Sequence, residues 1–142
     1  MARVLVIDDE PDVLVLCRMN FEHAGHEVIE ARDGQTGIDL ARQNHPDAVV
    51  LDLMMPQVDG YEVLKALNEQ WPGADVTVVI LTAKAREEDR LRCLRDGADG
   101  FVTKPFSPQE LVRTLEDLLA LQPGHRADRR MGNWVAGAAM DI

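Results

Sequence analysis

Asp8 and Asp9, Asp52, Thr82 and Lys104 each stand at the end of a short apolar run, at 4–7, 48–51, 76–81 and 100–103 respectively. If those runs are parallel strands, three acids, a hydroxyl and an amine gather at one edge of a sheet. Carboxylates about 4 Å apart repel by roughly 4 kcal/mol at an effective dielectric near ~20, and one lysine does not balance three of them. A hard divalent cation with oxygen ligands fits this inventory, Mg2+ first and Mn2+ as the alternative. Such a cation would also shield an incoming phosphoryl group, whose other oxygens the Lys104 ammonium and Thr82 hydroxyl can hold. Asp52 then becomes an attacking carboxylate that forms an acyl phosphate. Taken singly, each acid reads as a helix cap or a solvated loop residue, and Thr82 as a cap. Their conjunction across four strand ends is what points to chemistry.

The elements that must position these residues are legible in the pattern. The runs 4–7, 27–31, 48–51, 76–81 and 100–103 are rich in β-branched residues and bounded by charge or turn residues, as strands are. Between them lie stretches of helical length. Val13, Cys17, Phe21 and Ala24 make a helical stripe closed by Gly25. Asp33 can cap a second helix ending near His45-Pro46, where proline forbids continuation. A third runs from about Tyr61 through Val63, Leu64 and Leu67 and stops before Trp71-Pro72-Gly73. A fourth carries Leu91, Leu94 and Arg95, with Gly97 as its stop. Ser107-Pro108-Gln109-Glu110 is a capping box with proline at the first helical position. Leu111, Leu115, Leu118 and Leu119 follow as that helix's buried face, and Pro123-Gly124 ends it.

Strand and helix alternate strictly, which requires a parallel sheet covered on both faces by right-handed crossovers. The first, third and fourth strands are nearly all apolar and belong at the centre. The second carries Glu27 and Glu30 and the fifth is short with Gly100, so both suit edges. The fold class is therefore α/β, a doubly wound five-stranded parallel sheet of order 2-1-3-4-5 with helices on both faces, flavodoxin-like. In such sheets ligands bind beyond the carboxyl ends of the strands where the order reverses, here between the first and third strands.

Bulk properties narrow the function classes. Of 142 residues 46% are hydrophobic and 28% charged, a globular composition for one domain. The net charge of -10 argues against a nucleic-acid surface. Cys17 and Cys93 lack metal or redox spacing and read as buried apolar residues in a reducing compartment. His23, His26, His45 and His125 form no ligand cluster, and surface or loop roles are expected. No stretch has the length of a signal peptide or a membrane span, so a cytoplasmic location is expected. Residues 122–142 carry three Arg and two Asp without strand or helix periodicity. They are expected to be a tail or an interdomain linker, with Trp134-Val135 a candidate for docking.

The set Asp8-Asp9, Asp52-Leu53-Met54-Met55-Pro56-x-x-Asp59-Gly60, Thr82-Ala83 and Lys104-Pro105-Phe106 resembles the receiver domains of bacterial two-component response regulators. The resemblance covers residues 3–121, order and spacing included. It implies that Asp52 is the phosphoacceptor, loaded from a phosphohistidine on a sensor kinase. It further implies that Asp9 and Asp52 bind Mg2+ directly, with Asp8 nearby or acting through water and the Met54 backbone carbonyl completing the protein ligands. Thr82 and Lys104 match the phosphoryl-sensing pair, and Phe101 falls at the rotating aromatic switch position. A cis peptide is implied at Lys104-Pro105. Met54 and Lys84, two positions after Asp52 and Thr82, flank the phosphoryl group.

The resemblance also implies that phosphorylation draws Thr82 inward, turns Phe101 in and remodels the face of the fourth helix, fifth strand and fifth helix. That charged face reads either as a solvated surface or as the self-complementary interface of a phosphorylation-promoted homodimer. The stretch from 84 to 111 looks like regulators joined to winged-helix DNA-binding domains, which dimerise through it. Pro11, Leu14, Val15 and Arg18 are candidates for kinase pairing, although Leu14 and Val15 could equally be core. The chain is expected to be a phosphoacceptor switch that assists its own phosphorylation and autodephosphorylation, and not an enzyme acting on other substrates. It is either a single-domain regulator acting on a downstream protein or the front of a longer chain with an output domain.

Two other classes share part of this pattern. A haloacid-dehalogenase-like phosphatase also uses an aspartyl phosphate and Mg2+, but wants a second acid two residues after the nucleophile, where Met54 stands. A flavodoxin-like carrier would offer hydroxyls and amides to a phosphate in its first loop, and Asp8-Asp9-Glu10 repels one.

Overall fold

Val4, Leu5, Val6 and Ile7 are all fully buried, so the first strand has no wet face and must be covered on both sides. A computed structural model describes residues 1–70 and 76–121 and shows how this is achieved. Strands and helices alternate: β1 (Arg3–Ile7), α1 (Pro11–His23), β2 (Glu27–Ala31), α2 (Gly34–Asn44), β3 (Ala48–Leu51), α3 (Gly60–Gln70), β4 (Thr77–Thr82), α4 (Glu87–Arg95), β5 (Gly100–Thr103) and α5 (Pro108–Leu119). The strands form one parallel sheet in the order β2-β1-β3-β4-β5, the doubly wound arrangement expected from the sequence.

Successive strand side chains point to opposite faces, and this divides the core in two. Val4, Val6, Val50, Val79 and Leu81 pack with Cys17 and Phe21 of α1 and with Leu111, Leu115 and Leu118 of α5. Leu5, Ile7, Val49, Leu51 and Ile80 pack with Ala41 of α2, Val63 and Leu64 of α3 and Cys93 of α4. Both cysteines are free and buried, and burial first of all pushes each thiol up to about 12.

Local signals account for most boundaries. The Asp33 carboxylate accepts from the Thr36 amide at 2.8 Å and starts α2. His45 ends that helix in the left-handed region, at φ 48°, directly before Pro46. The Ser107 hydroxyl accepts from the Glu110 amide at 3.3 Å at the start of α5. Gly97, at φ 112°, turns the chain out of α4 toward β5, a conformation that favours glycine.

The differences from expectation have physical reasons. β1 begins at Arg3 because Arg3 pairs in register with Glu27, their side chains also meeting at 3.2 Å. β4 runs from Thr77 through Thr82, since Thr82 pairs with Thr103 and is itself fully buried. Leu91 faces outward, 50% exposed, while Asp89 and Cys93 join Leu94 on the inner side of α4. The fifth helix ends at Leu119. The turn signals Trp71-Pro72-Gly73 and Pro123-Gly124, the dipeptide Trp134-Val135 and the whole stretch 122–142 lie outside the described residues. Among the described residues no helix is long and apolar enough to cross a membrane.

Candidate functional site

The sheet register fixes where the acids emerge. The Asp8 amide donates to Ala31 O and the Asp52 amide to Ile7 O, each at 3.0 Å, so both residues leave the sheet at the same level. The Lys104 amide donates to Thr82 O at 2.9 Å, which brings the end of β5 beside the end of β4. The Lys104–Pro105 peptide is cis. Lys104 reaches across the sheet end, and its ammonium donates to Asp8 Oδ2 at 2.9 Å, Glu10 Oε1 at 2.7 Å and Asp52 Oδ2 at 3.2 Å. The other oxygens of the two buried acids are held by backbone. Asp8 Oδ1 accepts from the Glu10 amide at 2.9 Å and Asp52 Oδ1 from the Met54 amide at 3.0 Å.

Three carboxylates around one ammonium leave a formal excess of negative charge, with Asp8 and Asp52 almost completely buried. Burial is the first cause pushing the Asp8 carboxyl above its ordinary value. The Glu10 amide and Lys104 oppose it, and the Asp52 charge adds to it. Burial also disfavours the Lys104 ammonium, but its bonds to Glu10 and Asp8 outweigh that and hold it above its ordinary value. Oxygen atoms of Asp8, Glu10 and Asp52 lie within 4.8 Å of one another, a hard-oxygen donor set with charge to spare. These residues fit a small divalent cation.

Of the residues singled out in the sequence, the structure brings Asp8, Asp52 and Lys104 into direct contact. Asp9 is half-exposed, and the acid cluster contains Glu10 in its place. Glu10 stands at the N-cap of α1 with extended backbone and makes no side-chain cap bond, so its carboxylate is available to reach Lys104. Sequence reasoning missed it; the proline at the first helical position, which places Glu10 at the cap, was the available signal. Thr82 is fully buried, and its hydroxyl accepts from the Lys84 amide at 3.2 Å. The Met54 side chain is 58% exposed, leaving its backbone as the part turned to Asp52. Phe101 is buried among Ile80, Cys93 and Ala98, so its ring is already inside.

His26, expected on a loop, is more engaged than that. Its Nδ1 accepts from the Ala2 amide at 3.0 Å and its Nε2 lies 2.8 Å from Glu116 Oε2, at the end of the sheet opposite the acids.

The family model described as Response regulator receiver domain matches residues 4–116. Response regulator SaeR of Staphylococcus aureus is 41% identical over 119 residues, covering 84% of this chain and 51% of that protein. The chain thus spans about half the length of the curated relatives it matches. Among solved structures, the receiver domain of Francisella response regulator 1452 superposes with a TM-score of 0.77 at 34% identity, over 84% of this chain and 97% of that one. A CheY-like response regulator receiver domain protein from Methanospirillum hungatei superposes with a TM-score of 0.79 at 25% identity, over 84% and 94%.

Proposed function

The chain belongs to the response regulator receiver domain family of two-component signalling, and from that premise we propose that Asp52 is its phosphoacceptor. One observation carries the assignment. Asp52 is the buried carboxylate at the strand-order reversal that shares a lysine ammonium with a second buried acid.

An Asp52 oxygen attacks the phosphorus of a phosphohistidine on a sensor kinase. The new O–P bond forms as the N–P bond breaks, its electron pair leaving with the imidazole. The Lys104 ammonium lies 3.2 Å from Asp52 Oδ2 and can follow the developing phosphoryl charge. The Thr82 hydroxyl, on the adjacent strand end, can donate to another phosphoryl oxygen. Hydrolysis of the acyl phosphate returns the carboxylate and releases orthophosphate, so the chain assists its own dephosphorylation without turning over another substrate. Receiver domains bind Mg2+ through acidic residues, and here Asp8, Asp9, Asp52 and the Met54 carbonyl would hold it, the bound cation neutralising carboxylate and phosphoryl charge. Asp9, half-exposed beside the cluster, would turn in to join them. Met54 supplies no acid or base to a phosphatase cycle.

The partners belong to the same proposal. On α1, Val15 and Met19 are exposed at 54% and 62%, one helical turn apart, whereas Leu14 is buried. This supports Pro11, Val15 and Arg18 as part of a kinase-facing surface and removes Leu14 from it. The α4–β5–α5 face, with Leu91 outward, would carry a phosphorylation-promoted homodimer. The length of the curated relatives supports an output domain following residue 121, with 122–142 as the linker. A cytoplasmic location accords with this role.

Intact mass after incubation with Mg2+ and acetyl phosphate tests the central assignment. A single phosphate adduct, absent in Asp52→Ala and in EDTA, is expected. An adduct that persists in Asp52→Ala overturns it, as does a parent chain that binds neither phosphoryl nor beryllofluoride.

A further inference from the structure

Tyr61 and Asp89 are both buried, and the Tyr61 hydroxyl donates to Asp89 Oδ1 at 2.6 Å. A carboxylate on the inner side of a helix is expensive unless it is paired, and this one is surrounded by partners. Arg86 Nε donates to Asp89 Oδ2 at 3.1 Å, and the Lys84 ammonium lies 3.5 Å from Asp89 Oδ1. The Tyr61 hydroxyl is foremost in holding the Asp89 carboxyl below its ordinary value. The Arg92 guanidinium covers the Tyr61 ring, 3.7 Å from its centroid, in cation–π geometry.

Each end of this cluster is anchored at the phosphoryl site. Tyr61 follows Gly60, where a Cβ would stand 2.4 Å from Leu53 Cα and 2.8 Å from Asp52 O, so the start of α3 is seated on the backbone that carries Asp52. The Gly60 amide donates to Leu53 O at 3.3 Å, and the Tyr61 amide to Asp59 Oδ1 at 2.9 Å. At the other end, the Lys84 amide donates to the Thr82 hydroxyl. A chain of contacts therefore runs from the Asp52 backbone through Gly60, Tyr61, Asp89 and Lys84 to Thr82, independently of the Lys104 route.

We propose that Tyr61 is a positioning residue for phosphoryl capture: its bond to Asp89 fixes loop 83–86 relative to the Asp52 backbone and so pre-sets the Thr82 hydroxyl. Reactive groups held in place before the reaction avoid an ordering cost during it. A loop fixed only at Thr82 would bear that cost at each phosphorylation. The inference rests on the reading of Asp52 as phosphoacceptor.

Tyr61→Phe keeps the ring under Arg92 and removes only the hydroxyl. The rate of modification by acetyl phosphate and the affinity for beryllofluoride with Mg2+ are expected to fall about tenfold, the worth of one hydrogen bond to a charged group. Mg2+ affinity, set by the acids at the other side of the site, should stay within about twofold, which a general loss of structure would not allow. Asp89→Asn, which keeps an acceptor for the phenol but weakens the pairs to Lys84 and Arg86, should shift capture in the same direction. Parent-like capture by Tyr61→Phe overturns the proposal, and so does a parallel loss of Mg2+. Failure of the parent chain itself to be modified falls on the Asp52 assignment instead. Tyr61 is the sole tyrosine, so its absorbance gives a measurement that needs no variant. Burial first, and then the bond to Asp89, holds the phenol above its ordinary value of about 10, so mixed rapidly to pH ~11 it should remain un-ionised. Prompt ionisation there would mean that the phenol is not held, and would overturn the proposal.

Discussion

A carboxyl held above its ordinary value destabilises the fold once it is charged. Its favourable contribution is present below the ordinary carboxylate value near ~4 and is lost as pH rises through the raised one. Asp8 is such a group, with burial as the leading cause. Asp8→Asn without metal is therefore expected to be more stable than the parent at neutral pH, the gap closing as pH falls to the ordinary carboxylate range. Urea melts at the two pH values would show it, and a variant less stable at neutral pH would contradict it. The same substitution should weaken Mg2+ binding, so the residue that costs stability is one the function retains. At this scale the site was partly legible. Asp8, Asp52 and Lys104 were readable because strand ends dictate their position. The place of Glu10 was not, because which acid turns inward depends on the first bend of α1.

Elements carry the next set of consequences. α3 approaches the site only because Gly60 has no side chain, its missing Cβ being 2.4 Å from backbone that cannot give way. Gly60→Ala is expected to cost about 3 kcal/mol, at the upper end of overpacking effects, and to impair phosphorylation by displacing Asp52. Gly25→Ala makes an instructive contrast, because its Cβ would meet nothing within 4 Å and only φ +94° is unfavourable. About 1 kcal/mol is expected there, with phosphorylation intact. Chemical denaturation of both variants checks the order, and equal costs would contradict it. Strand runs and caps were legible because they are local: apolar blocks, Asp33 before α2, Ser107 before α5. The orientation of α4 was not. Its inward Asp89 is stabilised by Tyr61, 28 positions earlier, and no local pattern announces such a partner. Leu91 is turned outward as a result, against the usual apolar rule.

For the whole molecule, the exposed α4–β5–α5 face should convert phosphorylation into a change of mass. Light scattering with beryllofluoride and Mg2+ is expected to show a dimer at tens of micromolar and a monomer without them. A mass that stays monomeric in both would exclude this interface. The two-layered core has a practical corollary of a different kind. Cys17 is on the inner face of α1 on one side of the sheet and Cys93 on the inner face of α4 on the other, both free, buried and with thiols pushed up to about 12. Neither thiol can meet an alkylating reagent until its own layer opens. The chain thus carries two built-in reporters of breathing, one per side, and residue-resolved labelling by mass would time them separately. If the layer that holds α4 is the softer half, Cys93 should be labelled before Cys17, and because α5 belongs to the Cys17 layer, phosphorylation should slow both clocks.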